Sequence, residues 1–170
     1  MSKSMKLSLA GILIALGVVC STFYIPIGVA KVFPIQHFIN VLAGILLGPV
    51  YAVSMAFVTS LIRVISGTGS LLAFPGSMCG ALLSGLLFKS SKRIFMGFLG
   101  EVVGTGIIGG LLAYPVATLL LSKTVAFYGF ILPFLISTSV GSSFSILLIL
   151  SFKKMGILKK LLSEGEYYEL

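Results

Sequence analysis

Three ionisable side chains interrupt long apolar stretches of this sequence: His37, Arg63 and Glu101. Inside an apolar span a charge costs about 2.5–3.5 kcal/mol on insertion scales, so each needs a partner or a task. Glu101 is the only acidic residue before the C-terminal tail, and Thr105 lies one helical turn further on. As a functional group Glu101 would accept a hydrogen bond from a substrate or carry a proton; as a structural group it would pair with Arg63 or a buried hydroxyl. Arg63 has Thr59, Ser60 and Ser66 at helical neighbour spacings. The competing reading of Arg63 is a side chain snorkelling to the interface. His37 and Asn40 are three apart and share a helix face, with Gln36 beside them. An apolar bundle has use for that cluster where it faces a polar cavity. With no second His, and Glu101 the only carboxylate within reach, the residues offer no metal site. They make a hydrogen-bonding pocket for a small molecule, not a bond-breaking centre. No nucleophile–base pairing is visible, and without a Walker-type loop the chain cannot itself hydrolyse ATP.

The elements that must position these groups are membrane helices. Of 170 residues, 58% are hydrophobic and 9% charged, against about a quarter charged in soluble domains. The apolar runs do not alternate with polar residues, which argues for helices rather than a β-barrel. Breakers and charges divide the chain into six helices, at about 7–23, 34–47, 50–65, 75–88, 94–121 and 127–152. Pro34 suits a first helical turn, Gly48-Pro49 is a break, Pro115 predicts a kink and Pro133 lies in an early turn. The segments around Pro26 and around Gly67 and Gly69 read as loops. The N-terminus imitates a signal peptide, yet no small-residue cleavage site follows, and the span is read as a retained helix.

With both termini inside, the inner segments hold Lys3, Lys6, Lys89, Lys92, Arg93, Lys153, Lys154, Lys159 and Lys160, while the outer ones hold Lys31 and Lys123. This obeys the positive-inside rule and explains the net charge of +8 without nucleic acid. The expected fold is therefore an all-α integral membrane protein, a six-helix bundle forming a single domain over 1–162, with a polar tail over 163–170. Helices 2, 3 and 4 are short for a bilayer and fit if their outer ends line a cavity.

Other motifs carry packing. Gly104-Thr105-Gly106-Ile107-Ile108-Gly109 spells a dinucleotide fingerprint, but no strand precedes it. The Gly100/Gly104, Gly106/Gly110, Gly76/Gly80 and Ala81/Gly85 pairs predict close helix contacts. Thr138, Ser142 and Ser145 form a hydroxyl stripe assigned to packing. Gly11 and Ala15 make a small-residue pair that could face the bundle or a partner. Cys20 and Cys79 read as small apolar residues.

Four segments carry a resemblance. They are Phe33-Pro34-Ile35-Gln36-His37-Phe38-Ile39-Asn40-Val41, Leu47-Gly48-Pro49, Ala73-Phe74-Pro75-Gly76-Ser77-Met78 and Gly100-Glu101-Val102-Val103-Gly104-Thr105-Gly106. Together they resemble the ThiW family, substrate-binding S components of energy-coupling factor (ECF) vitamin transporters. The resemblance implies capture of the thiamin precursor hydroxyethylthiazole from outside the cell, a transmembrane coupling protein and two ATPase subunits as partners, and no cofactor. It implies that small residues on helix 1 meet the coupling protein; Gly11 and Ala15 stand where the family has two alanines. His37, Asn40 and Ser77 would hydrogen-bond the ligand, Phe74 or Tyr114 would contact its ring, and Gln36, Arg63, Glu101 and Thr105 complete the expected site. Glu101 or His37 would accept from the ligand hydroxyl. The alternatives are an S component for another precursor and a self-sufficient carrier coupled to protons through Glu101.

Overall fold

The computed structural model describes residues 1–27, 30–122 and 124–161, so Lys123 and the 163–170 tail lie outside the described residues. The architecture is helical: α1 (Lys3–Val19), α2 (Pro34–Leu46), α3 (Pro49–Ile65), α4 (Ala73–Ser91), α5 (Ile94–Leu120), α6 (Ile131–Lys154) and a short α7 (Ile157–Leu161). Between α1 and α2, where a loop was expected, β1 (Ile25–Ile27) and β2 (Ala30–Val32) form an antiparallel hairpin with Ile25 opposite Val32. Ala30, Lys31 and Val32 supply enough extended backbone for one short ladder.

Prolines set several helix starts. Pro34 and Pro49 open α2 and α3, where a missing N–H costs nothing. Gly48 before Pro49 has φ +90° and ψ 171°, a region essentially restricted to glycine. Gly48→Ala should therefore lower stability by about 1–3 kcal/mol, read as a fall in thermal unfolding temperature. An unchanged unfolding temperature would mean that this backbone relaxes freely. Pro75 falls in the first turn of α4, which begins at Ala73 and runs to Ser91, longer at both ends than expected. The last long helix starts at Ile131 rather than 127, because a turn around Gly129 precedes it.

Helix α5 is continuous, but its hydrogen bonds widen to the i→i+5 pattern over Val102–Gly109 and again over Val116–Leu120. The second widening follows Pro115, which has no N–H to give to the regular ladder. The first follows directly after Glu101.

α2 is the central helix. Ten of its 13 residues are buried, including Gln36, His37 and Asn40, and it packs on α3, α4 and α6. α4 packs against α3, α5 and α2. The close α4–α5 approach depends on glycine: a Cβ at Gly100 would sit 2.5 Å from the Leu83 backbone, and one at Gly104 would sit 2.6 Å from the Cys79 carbonyl oxygen. The small-residue pairs thus mark real helix contacts. On α6, Ser145 donates to the Phe38 carbonyl (2.5 Å). Thr138 and Ser142 are buried without hydrogen-bond partners among the described residues.

Outward faces are strongly apolar. Ile12, Val50, Ile65, Leu119, Leu132 and Leu147 are among the exposed large side chains. Three helices, Lys3–Thr22, Ile94–Leu120 and Ile131–Lys154, are long and apolar enough to cross a membrane.

Candidate functional site

The end of the bundle where α2 and α4 begin and α3 finishes holds a cavity of about 320 Å³. Ligand pockets span roughly 300–1,000 Å³, so this one suits a small guest. Its wall combines Phe33, Phe134, Val32 and Leu72 with Gln36, His37, Ser77, Thr105 and Ser137. Lys31 stands on the hairpin side, its Nζ 4.3 Å from the centre of the Tyr24 ring.

Behind that wall sits Glu101, with no exposed surface. Its Oε1 accepts from His37 Nδ1 at 2.9 Å and from Asn40 Nδ2 at 3.0 Å. Thr105 Oγ1 lies 2.9 Å from Oε1 and 3.0 Å from the Gly76 carbonyl, sharing one proton between two acceptors. A carboxylate only accepts, so Nδ1 of His37 carries the proton, and Nε2 is the ring nitrogen left for a guest. The other carboxylate oxygen has no partner among the described residues. It faces Gly80, where a Cβ would lie 2.6 Å from it. The carboxylate fits because Gly80 has no side chain.

Two strands of the sequence reading need correction. Glu101 does not pair with Arg63, since His37, Asn40 and Thr105 surround it. Neither Glu101 nor Asn40 lines the cavity: Asn40 is 2% exposed and splits its amide between Glu101 and the Ser77 carbonyl (3.1 Å). Both contact residues that line it: Glu101 meets His37 and Thr105, and Asn40 meets Ser77 near the start of α4.

Arg63 is 1% exposed and does not snorkel. Its guanidinium lies 3.9 Å over the Phe33 ring, and Nη1 donates to Gln36 Oε1. Gln36 Nε2 donates onward to Ser60 (3.3 Å), and Ser60 is 3.1 Å from Ser77. Arg63 Nε and Nη2 are buried without partners among the described residues. A chain of polar contacts therefore runs from Arg63 through Gln36 and Ser60 to Ser77; Gln36 and Ser77 line the cavity, whereas Arg63, expected there, and Ser60 do not.

Phe74 and Tyr114, the expected ring contacts, are elsewhere. Phe74 meets Phe57 edge-on at 5.7 Å, and Tyr114 meets Phe127 edge-on at 5.3 Å. Neither lines the cavity. Phe33 and Phe134 hold those places; Ser60 joins the polar chain, and Ser137, on the cavity wall, accepts from Phe33 N–H at 3.1 Å. The signal that could have found Ser137 is Gly141, one turn on, where an added Cβ would run into the Pro34 carbonyl and lie 3.0 Å from His37 Cβ, so that α6 packs closely on the start of α2. Gly11 and Ala15 do not line the cavity: both are exposed on α1, and a Cβ at Gly11 would meet nothing within 4 Å.

A family model described as thiamine-precursor transporter protein (ThiW) matches residues 7–155. A solved structure described as the S component of a bacterial ECF transporter shares the fold, with a TM-score of 0.72 and 21% identity. The match covers 93% of this chain and 99% of that one. No curated protein matches the sequence.

Proposed function

The chain belongs to the ThiW family of thiamine-precursor transporter proteins, and from that premise we propose that it is the substrate-capture subunit of an ATP-driven importer for hydroxyethylthiazole. The observation that carries this reading is the cavity backed by the Glu101–His37 pair. Hydroxyethylthiazole is small, neutral and aromatic. Its ring suits the apolar surfaces of Phe33 and Phe134. Its hydroxyl suits His37 Nε2, the ring nitrogen that the Nδ1–Glu101 contact leaves available and orients. Ser77 and Thr105 supply further hydroxyls on the same wall.

In this reading six helices span the cytoplasmic membrane with both termini inside. α2, at 13 residues, is about 20 Å long and falls short of a hydrocarbon core of about 30 Å. The shortfall is made good because its first turn opens into the cavity, on the outer side. Lys31 is then outside, and Lys3, Lys6, Lys89, Lys92, Arg93, Lys153 and Lys154 are inside. The coupling protein meets the open face of α1 at Gly11 and Ala15, and two ATPase subunits supply the energy. A bulky Gly11→Trp should leave ligand binding by the isolated chain unchanged and abolish uptake by the assembled transporter. Normal uptake would remove α1 from the interface.

The test of function is equilibrium binding of hydroxyethylthiazole to the purified chain in detergent, with thiamin and riboflavin as controls. Selective binding without ATP or partners is the expected result. Folded protein that binds none of the three would refute the ligand.

A further inference from the structure

The opposite end of the bundle holds a second cavity, of about 260 Å³. Three lysines line it: Lys6 of α1, and Lys89 and Lys92 at the end of α4. No carboxylate lines it, and the ion pair found among the described residues is His37–Glu101. Lys6 and Lys92 are half-exposed and Lys89 is exposed. Like charges around one cavity repel, and an anion sharing the space would relieve that repulsion. The wall also includes Gly48 and Pro49, where α3 starts, and no side chain caps that turn. The uncapped first turn adds backbone N–H groups and the positive end of the helix dipole. Lys92 moreover has φ 59°, a left-handed position that glycine normally fills at a helix end.

We propose that this cavity binds a phosphate ester, and that its source is the headgroup of an anionic phospholipid. The position favours the lipid: the cavity opens at a bundle end flanked by apolar outer faces such as Val50, and basic pockets between membrane helices take such headgroups. The site is independent of the guest that the first cavity takes.

The test uses the full chain in neutral detergent. Native mass spectrometry reads retained phosphatidylglycerol against phosphatidylcholine, with inorganic phosphate as competitor. Wild-type protein should retain one phosphatidylglycerol with at least about a tenfold preference. Lys6→Gln, Lys89→Gln and Lys92→Gln together should abolish that preference. Lys3→Gln, Lys153→Gln and Lys154→Gln remove the same charge outside the cavity and should preserve it. Equal loss in both triple variants would reduce the effect to diffuse surface charge and overturn the site. Absence of any preference in wild-type protein would overturn it too. Inorganic phosphate that binds as tightly as the lipid would keep the phosphate site and reject the lipid as its source. A preference that emerges only when Glu164, Glu166 and Glu169 are changed to Gln would make the chain's own acidic residues the occupant and overturn the proposal.

Discussion

Glu101→Gln should weaken hydroxyethylthiazole binding by about 10- to 100-fold, the equivalent of a hydrogen bond to a charged group, roughly 1.5–3 kcal/mol. The carboxylate does not reach the cavity, so the loss is indirect. Glutamine keeps the volume but not the charge, and it brings two N–H donors into a seat ringed by His37, Asn40 and Thr105. Either the amide nitrogen faces those donors, or it faces Gly80, where no acceptor is available. In the first orientation His37 loses the acceptor that orients its ring; in the second an uncharged amide oxygen holds it more weakly than the carboxylate does. Isothermal binding on the folded variant decides the matter. A positioning role predicts that ligands lacking the hydroxyl lose little affinity, because only the Nε2 contact is disturbed. Wild-type affinity for hydroxyethylthiazole would remove Glu101 from the site.

Gly104→Val should prevent the chain from folding into a monodisperse particle. The new Cβ would lie 2.6 Å from the Cys79 carbonyl oxygen and 2.7 Å from Gly80 Cα. These are backbone atoms of α4, which cannot swing aside as a side chain can. Overpacking costs typically 1–3 kcal/mol, and a backbone clash belongs at or above the top of that range. Separating α4 from α5 would also pull Gly80 away from Glu101 and open the seat of the carboxylate. Size-exclusion profile and thermal unfolding measure the effect, with Gly11→Ala as the tolerated control. A Gly104→Val protein with the wild-type unfolding temperature would show that the α4–α5 contact is not close in solution.

The polar groups of the site were readable one by one because they stand out against apolar surroundings. His37, Asn40, Gln36, Arg63 and Glu101 each cost free energy in such a span, so each announced a partner. Which partner each would find was not readable. Arg63 and Glu101 are the obvious opposite charges, yet the fold places Arg63 on Phe33 and Gln36 and gives Glu101 to His37. Complementary charge is a property of residue type, whereas adjacency depends on how α2 is turned between α3 and α5. The aromatic wall shows the same limit. Phe33, Phe74, Tyr114 and Phe134 are alike in type, and only packing sends two to the cavity and two to edge-on contacts outside it.

By itself, then, the sequence determined the apolar composition, the breaks at Gly48-Pro49 and before Pro34, the small-residue pairs that let α4 and α5 touch, and the set of buried polar groups. These follow from solvation and local backbone sterics, which act residue by residue. The tertiary structure decided the widened turn after Glu101, the hairpin before α2, the retreat of Glu101 and Asn40 behind the wall, and the meeting of three lysines around one cavity. Each of those depends on groups far apart in the chain arriving within a few ångströms. That arrival is set by helix packing summed over the bundle, which no single segment encodes.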